Sequence, residues 1–180
     1  MNVVITRPFF FEGESERIVE LLARPDVDLI HIRKPQSDRE QVERLLDELP
    51  CDIYPHLVLH DHHDLAPVYG LSGIHLNSRN PKRLEGWSGT VSRSCHSLEE
   101  IAACKEENID YMSLSPVFDS ISKKGYRSAF TRDELLEAHR LGIIDERVLA
   151  LGGVTFDRIN EVLEMGFGGA MILGDAWIRY

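Results

Sequence analysis

Cysteine is scarce and odd in number in this chain: Cys51, Cys95 and Cys104 are three among 180 residues, and no CxxC spacing joins them. That excludes a disulfide scaffold and a CxxC metal or redox motif, and predicts part-buried thiols in a reducing compartment. No apolar run reaches the roughly 18 residues of a membrane span. The start, Met1-Asn2-Val3-Val4-Ile5-Thr6-Arg7-Pro8, lacks the apolar stretch of a signal peptide, so a cytoplasmic location and no membrane contact are expected. Basic residues are too few for a generic nucleic-acid binder: 20 Lys+Arg face 30 Asp+Glu, a formal charge of −10. An acidic total gives an anionic substrate no global steering, so any phosphate must be met locally by Arg, Lys and backbone N–H groups. With 43% hydrophobic residues and no linker, low-complexity tract or charge block, residues 1–180 read as one globular domain.

What is present is a recurrence of short apolar runs with helical patterns between them. The runs are Val3–Thr6, Leu29–Arg33, Leu57–His60, Gly73–Leu76, Thr90–Ser94, Tyr111–Ser115, Val148–Leu151 and Ala170–Leu173. Helical spacing covers Glu14–Ala23, Ser37–Leu49, Asp64–Tyr69, Leu98–Glu106, Arg132–Leu141 and Thr155–Met165. Ser37 and Asp38, Ser97 with Glu100, Thr131 with Glu134, and Thr155 supply start signals; Gly142 and Gly166 supply stops. Strand–helix alternation predicts parallel pairing, and eight strands predict an α/β fold, a (β/α)8 TIM barrel. An open doubly wound sheet would call for a glycine-rich first turn, yet the first run leads into Arg7-Pro8-Phe9-Phe10-Phe11 without GxGxxG. At about 22 residues per unit some helices must be short: one or two turns near Asn80–Leu84, and a stunted last one, Asp175–Tyr180. Trp177 and Ile178 there are expected to leave apolar surface that a second copy could cover.

In such a barrel the C-terminal strand ends carry the chemistry. They present His31-Ile32-Arg33-Lys34, His60-Asp61-His62-His63-Asp64, His75-Leu76-Asn77, Ser94-Cys95-His96, Leu151-Gly152-Gly153 and Leu173-Gly174-Asp175. Gly152, Gly153 and Gly174 suit a phosphate cradle, because glycine lets backbone approach an anion. Asp175 would repel that anion and is expected to cap a helix, as is Asp64. After the sixth run, Ser120, Ser122, Lys123, Lys124 and Gly125 suit a loop that grips a dianion. Asp61 alone could offer a carboxylate to Mg2+ beside a diphosphate. His60 and His62 with His75 or His96 could be drawn into a zinc set, whereas His31, His75 and His96 also suit inward polar filling. No GxSxG elbow is present, and Ser94-Cys95-His96 point in alternating directions, which excludes a serine triad there.

The ordered string Ile30–Lys34, Leu59–Asp61 with Asp64-Leu65-Ala66, Gly73–Leu76, Ser94–Glu100, Tyr111–Lys123 and Leu151–Val154 resembles the thiamine phosphate synthase and TenI-type thiazole tautomerase superfamily. The resemblance implies a barrel that joins hydroxymethylpyrimidine diphosphate to a thiazole phosphate with Mg2+ assistance. By position it implies that Arg33, Ser94 and Lys123 hold the diphosphate and act catalytically, that Asp61 binds Mg2+, and that Ser120, Ser122 and Gly153 contact substrates. His31, Lys34 and His60 take neighbouring substrate positions: His31 stands where the family has glutamine, His60 where it has asparagine, and Lys34 one place before Pro35, where it has lysine. Asn80 stands at the second acidic Mg2+ position and Gly174 at a serine. The tautomerase branch has a histidine where Pro116 stands, which favours the synthase; His31 or His60 as a replacement base would suit a tautomerase. The changed residues also suit a barrel that only binds thiamine precursors.

Overall fold

The computed structural model describes residues 1–119 and 129–178. The elements are β1 (Asn2–Ile5), α1 (Glu14–Leu22), β2 (Leu29–Ile32), α2 (Arg39–Glu48), β3 (Leu57–Leu59), α3 (Leu65–Tyr69), β4 (Gly73–Leu76), β5 (Thr90–Cys95), α4 (Leu98–Lys105), β6 (Tyr111–Leu114), α5 (Arg132–Arg140), β7 (Val148–Leu151), α6 (Ile159–Glu164) and β8 (Gly169–Ile172). The strands are hydrogen-bonded in chain order as a closed barrel, the α/β architecture expected from the strand count. Every residue of β3, β4, β6 and β8 is buried, the pattern of parallel strands covered on both faces. The chain divides into two compact units, described in turn.

In residues 3–91, α1 buries Ile18 and Leu21, and α2 buries Val42, Leu45 and Leu46. Full burial of such a side chain contributes about 1.5–3 kcal/mol. The start of α2 is fixed by a reciprocal box: Asp38 Oδ1 accepts the Gln41 N–H at 2.8 Å, and Gln41 Oε1 accepts the Asp38 N–H at 3.0 Å. Two expectations fail here. Asp64 does not cap α3; its carboxylate accepts from Arg39 Nε at 2.8 Å instead. No helix forms between β4 and β5, where Pro81, Gly86 and Gly89 interrupt any helical run.

In residues 1–2 with 92–178, Thr131 and Glu134 form a full capping box at α5. At α4 the box is shifted: Ser97 accepts the Glu100 N–H, but the Glu100 carboxylate reaches back to the His96 N–H at 2.6 Å. Gly142 and Gly166 stop α5 and α6 at positive φ, 72° and 90°. A 3-10 turn at Phe156–Arg158 precedes α6, so the expected helix over 155–165 is split. Trp177 is not surface: it is 1% exposed, which leaves Ile178, at 70%, as the exposed apolar residue of the final turn. Cys95 and Cys104 are buried with sulfurs 3.5 Å apart, and Cys51 is exposed.

Candidate functional site

The ends of β2, β3 and β4 bring three imidazoles together. Pairing Leu59 with Ile74 sets the next residue, His60, beside His75, while His31, paired with Val58, lies two residues back on β2. All three are buried. His31 Nδ1 and His60 Nε2 are 2.9 Å apart, and the His60 and His75 rings stack with centroids 4.0 Å apart. Burial pushes all three pKa values down, His31 and His60 well below 6.5 and His75 to about 3. Arg33 and Arg79 reinforce the shift at His60 and His75. The trio is therefore neutral near pH 7.

The ligand nitrogens of these histidines lie within 4.8 Å of one another, so this set, rather than one with His62, is the histidine cluster that could approach a metal. His62 is turned away, at a backbone φ of 54°, with Nε2 2.9 Å from the Ser37 carbonyl. The His31–His60 nitrogens are engaged with each other, and the two guanidinia oppose further positive charge. The arrangement reads as stacked, hydrogen-bonded filling, the role expected for His31 and His75. His96 is instead exposed, near the Ser115 carbonyl at 3.2 Å.

Asp61 follows directly on His60 and is nearly buried. Its Oδ1 accepts from Arg79 Nε and Nη2, both at 3.2 Å, and from Asn80 Nδ2 at 3.0 Å; its Oδ2 accepts the Lys34 N–H at 3.3 Å. Mg2+ takes oxygen ligands in a near-octahedral shell. Around Asp61 the neighbours are N–H donors, and the residue at the second acidic position turns an amide nitrogen inward. Asn80 Nδ2 also donates to the His60 carbonyl at 3.0 Å, which fixes that orientation. These residues do not fit the expected Mg2+ site.

Lys34 also departs from its expected role as a substrate contact. Its ammonium is buried and donates to both Glu14 carboxylate oxygens at 2.6 and 2.7 Å and to the Arg7 and Phe9 carbonyls at 3.0 and 2.9 Å. Burial pushes the Glu14 carboxyl up and the Lys34 ammonium down, against their mutual attraction. No donor is left for a ligand, because four acceptors surround three N–H bonds. Arg33 remains half-buried, and burial first, then Arg79, lowers its pKa while Asp61 raises it. Arg79 and the Asn77 side chain that shapes its loop are functional candidates that the motif reading passed over. The signal available was a basic residue inside Asn77-Ser78-Arg79-Asn80, directly after a strand.

In the other unit, Ser94 of β5 is half-buried and in register with Ser113 of β6, whose buried hydroxyl has no hydrogen-bond partner among the described residues. Gly152 and Gly153 follow β7 at φ 92° and 64°. Backbone 116–119 crosses them: the Val117 N–H donates to the Leu151 carbonyl at 2.9 Å and the Phe118 N–H to the Gly152 carbonyl at 3.0 Å. A Cβ on Gly153 would stand 2.4 Å from the Asp119 carbonyl oxygen. Gly174 has open space around it and helical backbone angles. Asp175 accepts the Phe156 N–H at 2.9 Å and so holds the turn before α6. The expected contacts Ser120, Ser122 and Lys123 lie outside the described residues.

The family model described as thiamine monophosphate synthase matches residues 2–174. A thiamine-phosphate synthase of Thermus thermophilus is 33% identical over 111 residues, 60% of this chain and 53% of that protein. The chain thus spans about half the length of such relatives in the matched segment. One from Salinibacter ruber is 31% identical over 164 residues, 87% of this chain and 71% of that protein. A solved thiamine phosphate pyrophosphorylase from Bacteroides thetaiotaomicron is 39% identical, with a TM-score of 0.88 over 99% of this chain and 85% of that one.

Proposed function

The chain belongs to the thiamine monophosphate synthase family, and we propose that it catalyses that family's coupling of hydroxymethylpyrimidine diphosphate to a thiazole phosphate. The observation that carries the reading is the Arg79 guanidinium bonded to the Asp61 carboxylate, with the half-buried Arg33 within Coulombic reach of both, at the ends of β2 to β4. In the step proposed, the C–O bond between the pyrimidine methylene and the diphosphate breaks, and the electron pair leaves with the diphosphate. The thiazole nitrogen then supplies the pair for the new C–N bond. No protein nucleophile is required, in keeping with the lack of a serine elbow. Negative charge grows on the departing diphosphate, and cations fixed where that charge develops lower the barrier. We assign that role to Arg33 with Lys123, and hydroxyl contacts to Ser94, Ser120 and Ser122. Gly152, Gly153 and Gly174 are assigned to the thiazole phosphate, and the neutral His31–His60 pair to the floor beneath the pyrimidine. We also place the protein in the cytoplasm, which suits its three free thiols; among the described residues no helix is long and apolar enough to cross a membrane.

The test is an end-point assay with both substrates, reading thiamine phosphate against a control without protein. Product at enzymatic rates, reduced at least about 100-fold by Arg33→Ala, is expected. A folded sample that makes no product with or without divalent metal overturns the assignment.

A further inference from the structure

A metal-assisted diphosphate site needs carboxylates free to take the metal, and the loop after β4 uses them otherwise. Asn77 Oδ1 accepts the backbone N–H groups of Arg79 at 3.0 Å and Asn80 at 3.1 Å, while Asn77 Nδ2 donates to the His60 carbonyl at 3.0 Å. This ties the 77–80 turn to the end of β3 and delivers the Arg79 guanidinium edge-on to Asp61, with two nitrogens 3.2 Å from one oxygen. The fit is one-sided. The Asp61 side chain is 11% exposed, but 39% of the Arg79 side chain remains open, so the guanidinium can bridge the carboxylate and a second anion. Arg33 lies within Coulombic reach of both groups. Two guanidinia and one carboxylate leave a local charge of 2 − 1 = +1 in a chain whose total is −10. Like charges gathered at part-buried strand ends are costly unless an anion relieves them, and a guanidinium fork matches phosphate oxygens.

We propose that Arg79 takes the place of the divalent cation, so that Arg33 and Arg79 bind the diphosphate group of the pyrimidine substrate without Mg2+, with Asp61 serving to orient Arg79 rather than to hold metal. This rests on the functional reading above, but its test does not require turnover. Inorganic diphosphate is titrated by calorimetry into the full chain, once in EDTA and once with excess Mg2+. Binding in EDTA, changed less than about threefold by Mg2+ and weakened at least about tenfold by Arg79→Gln, is the expected result. Asp61→Asn is the second variant: it frees the guanidinium and raises the local charge, so diphosphate affinity should hold or tighten, whereas a metal-ligand Asp61 would lose it. Thermal melts of both variants establish that they fold. Binding that appears only with Mg2+ and survives Arg79→Gln overturns this inference while leaving the coupling reaction standing. Absence of diphosphate binding in both buffers overturns the two readings together.

Discussion

His31 Nδ1 and His60 Nε2 stand 2.9 Å apart in the interior, and the His75 ring stacks on His60. In this pair one ring donates and the other accepts, so the accepting ring must be uncharged, and burial keeps the others neutral as well by lowering all three pKa values. The folded pKa values lie below the unfolded value near 6.5, so below that pH the unfolded chain binds protons that the native trio refuses. Stability should therefore be level above about pH 7 and fall as pH drops below 6.5. The slope approaches about 4 kcal/mol per pH unit for three groups at about 1.4 kcal/mol each. Urea unfolding between pH 8 and 5 measures it. A midpoint that does not move over that range would contradict neutral burial of the trio.

Lys34 and Glu14 form the other buried device, a charge pair with side chains 1% and 2% exposed. Removing one partner strands the other charge inside, a loss of about 3–5 kcal/mol. Lys34→Met is expected to lower stability by that amount. Lys34→Met with Glu14→Gln should recover much of it, since the apolar or neutral replacement of both partners leaves no buried charge. If denaturant unfolding shows Lys34→Met within about 1 kcal/mol of wild type, the ammonium is not held as described.

Much of the barrel is legible from the sequence because its strands are buried on both faces. Gly73–Leu76 and Val148–Leu151 stand out as apolar runs with the bounds the fold realises. Caps that depend on two residues three apart are legible too, as Asp38 with Gln41 and Thr131 with Glu134 demonstrate. What sequence spacing misses is set by distant partners. Nothing local tells that Lys34 will turn from the strand end to Glu14, twenty residues away, or that Arg79 will take the carboxylate of Asp61, eighteen away. Trp177 looks exposed because the chain after it is short, yet it is buried. The histidines were legible as inward groups, but their pairing depends on the register of three strands.

Ser113 offers a test of whether its hydroxyl serves the fold. A buried hydroxyl without a partner costs about 1–3 kcal/mol, and Ser113 is 1% exposed with no hydrogen bond among the described residues. Ser113→Ala should leave the melting temperature unchanged or raise it. A drop equivalent to 1 kcal/mol or more would mean that the hydroxyl is bonded in the folded protein.

Gly153 and Gly174 separate backbone need from ligand contact. An L-residue in the left-handed region costs about 1–2 kcal/mol, and at Gly153, with φ 64°, a Cβ would also press on Phe118 and Asp119. Gly153→Ala is therefore expected to lose at least that much stability whatever it binds. Gly174 has φ −62° and ψ −49° and no atom within 4 Å of an added Cβ, so Gly174→Ala should melt within about 0.5 kcal/mol of wild type. Its remaining effect then reports on the ligand: with Gly174 against the thiazole phosphate, the methyl group raises KM for that substrate severalfold while the melt stays put. An unchanged KM in the coupling assay removes Gly174 from the cradle and leaves Gly152 and Gly153 as its glycines.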